Sequence, residues 1–213
     1  MITERKRRTM PKANGERLFH GSKPFIVDLV GKEQADAVLR SARRRYAQLL
    51  EENKDEPKAM DPHTKARIYP GISVFEALLE AGCSREEAAK VIYNFYDLYA
   101  GKGGKILQFI LKIPGLYKKV PQFACKMIDK SFGADAGFRS VKRKVDETGM
   151  HIDMMVCPYN DICRKYGCPE IIKAFCHSDD MAYGHMHPKL LWARTKTLGR
   201  GGDCCDFIIH VKK

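Results

Sequence analysis

The period of the apolar residues changes character near Gly133, where strand-like alternation first appears, and that change limits what the chain can fold into. From Gly31 onward Ala35, Val38, Leu39, Ala42, Tyr46, Leu49 and Leu50 recur at steps of three and four, predicting a helix that ends before Pro57. EENKDEPKAMDP then reads as a polar connection. Ile72, Phe75, Leu78 and Leu79 predict a short second helix stopping at Gly82. Ser84 and Glu87 form a Ser-x-x-Glu capping box for a third, striped by Ala88, Val91, Ile92, Phe95 and Tyr99. Gly101, Gly103 and Gly104 are expected to interrupt or end it, leaving ILQFILKIPG as another helix or a hydrophobic cover. A further helix over Val120 to Phe132 is expected to turn Phe123, Met127 and Ile128 inward.

Beyond Gly133 the apolar period falls to two. GFRSVKRKV and HIDMMV predict a strand pair around a turn near Gly149. Tyr159 to Tyr166 reads as a short helix, and Glu170 to about Tyr183 as a longer one. LLWART and CCDFIIHV predict two strands joined by a turn rich in glycine, Gly199, Gly201 and Gly202. The expected fold class is α/β of the α+β kind: a helical N-terminal half packed on a C-terminal, mainly antiparallel sheet. Residues 1–25 are expected to be a basic, irregular, flexible segment. Residues 26–132 form the helical region and 133–213 the mixed region carrying the site, the two packed as one domain.

The formal net charge is +12, and Arg5, Lys6, Arg7, Arg8 and Lys12 concentrate part of it at the N-terminus, where phosphates could gather without selectivity. Elsewhere acids and bases are mixed, and no zinc-finger spacing, aromatic platform or recognition helix stands out, so no specific nucleic-acid partner is expected. No uninterrupted apolar run is long enough for a membrane span. The opening MITERKRRTMPK lacks the apolar segment of a secretory signal, and the expected location is cytoplasmic. A homo-oligomer is left open.

Six of the eight cysteines fall from Cys157 onward. In a cytoplasmic chain they are thiols or metal ligands sooner than disulfides. Cys157, Cys163, Cys168 and Cys176 contain no CxxC pair, although His185 and His187 could add nitrogen ligands. No cofactor is therefore expected, with a zinc or iron–sulfur centre as the alternative. Cys157 precedes a helix, a place that suits a reactive thiol. Cys176 and Asp180 lie one helical turn apart and share a face, whereas the adjacent His177 does not. On the last strand Cys205, Phe207, Ile209 and Val211 share one side, and Cys204, Asp206, Ile208 and His210 the other, so Cys205 and Asp206 point apart unless a bulge re-aims one. Arg194 shares a side with Leu190 and Trp192 and could hold a substrate carboxylate by two directed hydrogen bonds.

The ordered text CPYNDICRKYG followed by CHSDDMAYGHMHPKLLWARTKTLGRGGDCCDF resembles the L-2-amino-thiazoline-4-carboxylic acid hydrolase family over about residues 150–210. The doubled cysteine before Asp206 places the family-like cysteine at Cys205. The resemblance implies hydrolysis of a non-peptide C–N bond in a small carboxylated cyclic amidine, with water opening a thiazoline ring to an N-carbamoyl amino acid. In that reading Cys176 or Cys205 attacks the electron-poor ring carbon, with Cys157 a further candidate. Asp180 binds the amidine or moves a proton, Arg194 and Thr195 hold the substrate, and Asp206 orients a partner or the turn. Backbone N–H groups around Gly201 and Gly202 stabilise developing negative charge. The non-enzymatic alternative is a small-ligand-binding or redox-sensing domain using the same pocket.

Overall fold

The computed structural model describes residues 15–212, so the basic tail up to Lys12 lies outside the described residues. Helix α1 spans Glu16–Val30 and α2 spans Lys32–Glu52. The expectation of an irregular segment up to residue 25 is therefore corrected: α1 runs through both Gly21 and Pro24. Leu18, Phe19, Ser22 and Ile26 are all buried. Each large apolar side chain there is worth about 1.5–3 kcal/mol, which offsets about 3 kcal/mol for the proline and about 1 kcal/mol for the glycine. Gly21 is also required by contact, since a Cβ would stand 2.3 Å from the Phe95 ring.

Helices α3 (Tyr69–Glu80) and α4 (Arg85–Ile110) follow, and the Ser84–Glu87 capping box opens α4 with both of its reciprocal hydrogen bonds. The glycines do not end α4. The helix continues through them to Ile110, absorbing most of the segment read as a separate helix or cover. Gly104 explains why. A Cβ there would stand 2.7 Å from the Met181 carbonyl oxygen, so the glycine lets α4 press against the helix that carries Met181. Gly104→Ala is expected to cost about 1–2 kcal/mol, overpacking outweighing the gain in helix propensity. Gly103→Ala, at an exposed position where a Cβ meets nothing, should gain up to about 1 kcal/mol, and parallel thermal melts of the two variants check the contrast. The stripe of α4 also ends differently: Tyr96 is buried, and Tyr99 lies at the surface beside Arg17.

Helix α5 (Val120–Ser131) buries Pro121, Ala124, Cys125 and Ile128. This rotation leaves Phe123 68% exposed, against the expectation that it points inward. Strands β1 (Arg139–Val145) and β2 (Gly149–Val156), helices α6 (Pro158–Lys165) and α7 (Ile172–Tyr183), and strands β3 (Leu190–Ala193) and β4 (Cys205–Val211) complete the chain. The sheet order is β1-β2-β4-β3, antiparallel throughout, as the C-terminal pattern predicts. Strand β1 is an edge, interrupted by two register shifts and carrying Lys142, Arg143 and Lys144, features that discourage pairing with another chain.

The register sets up the site. Met150 pairs with Ile209, Ile152 with Phe207 and Met154 with Cys205, while Trp192 on β3 also faces Ile209. Directly paired residues share a face, so these side chains form one apolar surface. Helices α5 and α7 lie over it. Asp153 and Asp206 pair on the opposite face.

Candidate active site

Where α5 and α7 bridge the sheet they leave a cavity of about 820 Å³. Cys157, Cys176 and Cys205 line it together with Asp179, Arg194 and Arg67. Cys157 caps the N-terminus of α6, Cys176 comes from α7 and Cys205 from β4, so three elements bring three thiols to one space. Burial pushes the Cys157 thiol up to about 12 and the Cys176 thiol up to about 11. Burial likewise raises Cys205, although its sulfur accepts a hydrogen bond from the Leu198 N–H at 3.2 Å. All three are neutral thiols near pH 7.

Arg194 points inward with Trp192, yet three of its five N–H donors are already engaged. Its Nη1 donates to Asp179 Oδ2 at 3.1 Å, and its Nη2 donates to Asp180 Oδ2 and to the Cys176 carbonyl, each at 2.7 Å. Only 3% of its side chain is exposed. Arg194 thus locks β3 to α7, with both terminal nitrogens committed to α7. Its replacement by methionine would remove the cation bound directly to Asp179 and Asp180. Because Asp179 and Asp180 are 37% and 38% exposed, Arg194→Met is expected to destabilise by about 1–3 kcal/mol and lower the Tm by roughly 5 °C, as calorimetry would show.

Asp180 also accepts from Trp192 Nε1 at 3.1 Å, so both of its oxygens are engaged away from the cavity. The neighbouring Asp179 does line it, as do Asp129 and Asp135. Burial raises Asp179 to about 6; Arg194 opposes that shift, Asp180 reinforces it and Arg67 opposes it. His177 turns away toward Asp97 on α4, at 2.7 Å, and stacks on Tyr93, so it forms no dyad with Cys176.

Arg67 was not singled out by the sequence. It sits in a π-helical turn, Thr64–Ile68, within the stretch between α2 and α3. Short π segments often mark functional positions. Protein surrounds Arg67 on nearly every side, but its surface stays accessible because it faces the cavity. Among the described residues no carboxylate lies within ion-pairing distance of it. Its guanidinium lies within electrostatic reach of the Tyr159 phenol, Tyr96 and Asp179, which favour its charge against the cost of burial.

That phenol is 3.1 Å from His63 Nδ1, and His63 Nε2 is 2.7 Å from the Ser131 carbonyl. A carbonyl only accepts, so Nε2 carries the hydrogen and Nδ1 accepts from Tyr159. Burial lowers the pKa of His63, consistent with this neutral form. The resulting relay, Tyr159 to His63 to Ser131, fixes the phenol near the cation at the cavity wall.

The remaining candidates lie behind the site. Asp206 accepts from the Thr195 N–H at 2.9 Å, the Thr195 hydroxyl at 2.6 Å and the Lys196 N–H at 2.8 Å. Although burial opposes it, these donors hold the Asp206 carboxyl below its usual range. The alternation of β4 thus separates Cys205 from Asp206, and Asp206 positions the chain just after β3. Gly201 N–H donates to the Leu198 carbonyl at 3.1 Å and Gly202 N–H to the Thr197 carbonyl at 2.9 Å, so both are spent in the turn. The glycine that reaches the site is Gly199, where a Cβ would stand 3.2 Å from Cys176 Sγ. Among the described residues no three His, Cys, Asp or Glu side chains converge to hold a metal. Cys168 instead donates to the Cys163 carbonyl, and His187 stacks on Tyr117.

A family model, L-2-amino-thiazoline-4-carboxylic acid hydrolase, matches residues 61–209. The chain belongs to this family. Membership supports hydrolase activity on a small cyclic C–N heterocycle. The match begins upstream of His63 and Arg67, so it includes both walls of the cavity, well beyond the 150–210 stretch in which the resemblance is most visible. Helices α1 and α2 lie outside it and serve as cover for α3 and α4. No curated protein and no solved structure matches the chain.

Proposed function

We propose that this family member hydrolyses a carboxylated cyclic amidine, with Arg67 binding the carboxylate and Asp179 serving the amidine and the attacking water. The observation that carries this reading is an arginine with no carboxylate at ion-pair distance and a carboxyl of pKa about 6 lining one cavity. A zwitterion bearing a carboxylate and an amidinium complements both. Enclosure strengthens each contact relative to bulk water.

The chemistry follows from these positions. Ionised Asp179 takes a proton from water as the oxygen bonds to the amidinium carbon. The tetrahedral carbon then expels the ring heteroatom; in a thiazoline the C–S bond breaks, in place of the C–N bond that the resemblance implied, and the sulfur receives that proton from Asp179. Loss of the remaining hydroxyl proton completes the carbonyl. The ring nitrogen stays on the carbon, so the product is an N-carbamoyl amino acid, one water is consumed and Asp179 is regenerated. The neutral thiols of Cys157, Cys176 and Cys205 then shape the wall.

Their convergence on one cavity supports a second reading, in which a thiol attacks first and water releases the adduct. Intact-mass analysis after a brief substrate pulse separates the two, since only the covalent route accumulates an adduct that Cys176→Ala or Cys205→Ala abolishes.

Along β4 the cavity extends from Cys205 to Ile209, about 13 Å at ordinary strand rise, more than one five-membered ring requires. The deciding assay is therefore ring opening over a panel of 2-amino-thiazolines and related cyclic amidines, each with and without the carboxylate and with added apolar substituents. Turnover confined to carboxylated members is expected; failure across the whole panel would leave ligand binding alone.

A further inference from the structure

We infer that the C-terminal end of α4 is a peripheral docking surface for anionic phospholipid membranes. Ile106, Phe109, Ile110 and Ile113 follow the i, i+3, i+4, i+7 spacing and so lie on one side of the helix and its exit turn. They are 63%, 73%, 45% and 57% exposed, so they project from the surface instead of lying sheltered in a groove. The inner side of the same helix is satisfied, with Gly104 against α7 and Leu111 buried. Apolar side chains this large and contiguous on a surface mark an interaction site.

The charge around the stripe identifies the partner. Lys102, Lys105, Lys112, Lys118 and Lys119 are all exposed, and the sequence from Gly101 to Val120 contains no acidic residue. Among the described residues none of these lysines forms an ion pair, whereas Lys142 on β1 is paired with Asp129. A symmetric dimer through this patch would set lysine against lysine. An anionic bilayer offers what both parts need: headgroup phosphates and carboxylates for the lysines, and acyl chains for the phenylalanine and isoleucines. Among the described residues no helix is long and apolar enough to cross a membrane, so the contact is interfacial.

The test is flotation of the full-length protein with vesicles of phosphatidylcholine alone or with about a third phosphatidylserine. Binding to the anionic vesicles is expected, with little to the neutral ones and marked weakening at about 0.5 M salt. Phe109→Ser with Ile113→Ser should lower the partition coefficient about tenfold, and Lys118→Glu with Lys119→Glu by a similar factor. Circular dichroism and Tm should be unchanged, because all four positions are exposed. Anionic binding that survives both double variants would assign it to the basic N-terminus and overturn the proposal. Absence of vesicle binding would overturn it too, as would a concentration-dependent dimer that the apolar variant dissociates.

Discussion

Asp179→Asn is expected to lower kcat by about 10²–10⁴-fold while raising the Tm at neutral pH. The loss follows from the role of Asp179 as base: the amide can still accept a hydrogen bond but cannot take a proton from water. The gain follows from burial, which raises the carboxyl from its ordinary 3.8 to about 6. A raised carboxyl binds its proton more tightly in the folded state. Its contribution to stability is fully present below about pH 3.8 and is lost as pH rises through about 6. At pH 7 the native protein carries an unfavourable charge; asparagine removes it, keeps an amide oxygen for Arg194 Nη1 and leaves Asp180 as the ionic partner of that arginine. Melts at pH 5 and pH 7 should show this stabilisation in the wild type on acidification and lose that component in the variant. The kcat/KM profile of the wild type should rise through about pH 6, since the base must be ionised. An active Asp179→Asn enzyme would remove Asp179 from the chemistry and return attention to the thiols.

The second large effect concerns Arg67. Arg67→Met should reduce kcat/KM for a carboxylated substrate by about 10²–10³-fold, chiefly through KM, because a buried carboxylate would lose its charged partner. The same substitution should leave an analogue without the carboxylate almost untouched. That comparison separates binding from structural damage. Arg67→Lys keeps the charge but loses the planar fork, so an intermediate loss is expected. Tyr159→Phe should loosen the arginine by removing the phenol oxygen near it, with a smaller rise in KM. Arg194 behaves differently under the same test: held by two aspartates and a carbonyl, it should register in stability. A carboxylate-dependent rise in KM on its replacement, with Tm unchanged, would reverse the roles given to the two arginines.

Asp179 thus carries a cost in stability that function requires. Desolvation raises its pKa into the range useful near neutral pH, and Arg194 limits how far the shift goes. This is the arrangement expected where a carboxyl must both accept and return a proton.

Much of this molecule was legible in its sequence. The step from helical to alternating spacing near Gly133 fixed the order of helices and strands, because periodicity records which side of an element is buried. The same rule on β4 separated Cys205 from Asp206, and the structure places them on opposite faces. The capping box at Ser84 was equally readable, being a contact between residues three apart. Where local signals failed, tertiary contact overrode them. Pro24 did not break α1 because the apolar face of that helix is buried, and Gly21 and Gly104 did not end their helices because each allows a close approach to a distant segment. Phe123 faces outward although its neighbours permit the other choice.

The combination of Arg67 and Asp179 could not be read from the sequence, for a physical reason. A polar side chain lining an internal cavity meets water as a surface side chain does, so in the pattern of apolar and polar residues the two look alike. Arg67 lies in a stretch that reads as a connection, and Asp179 is one of two adjacent aspartates. Which aspartate faces the cavity, and which arginine is already spoken for, depends on contacts between segments far apart in the chain. The sequence by itself determined the class of fold, the family and the strand that carries Cys205. Only the folded chain decided which charges remain unpaired, because pairing is a property of three-dimensional proximity and periodicity is not.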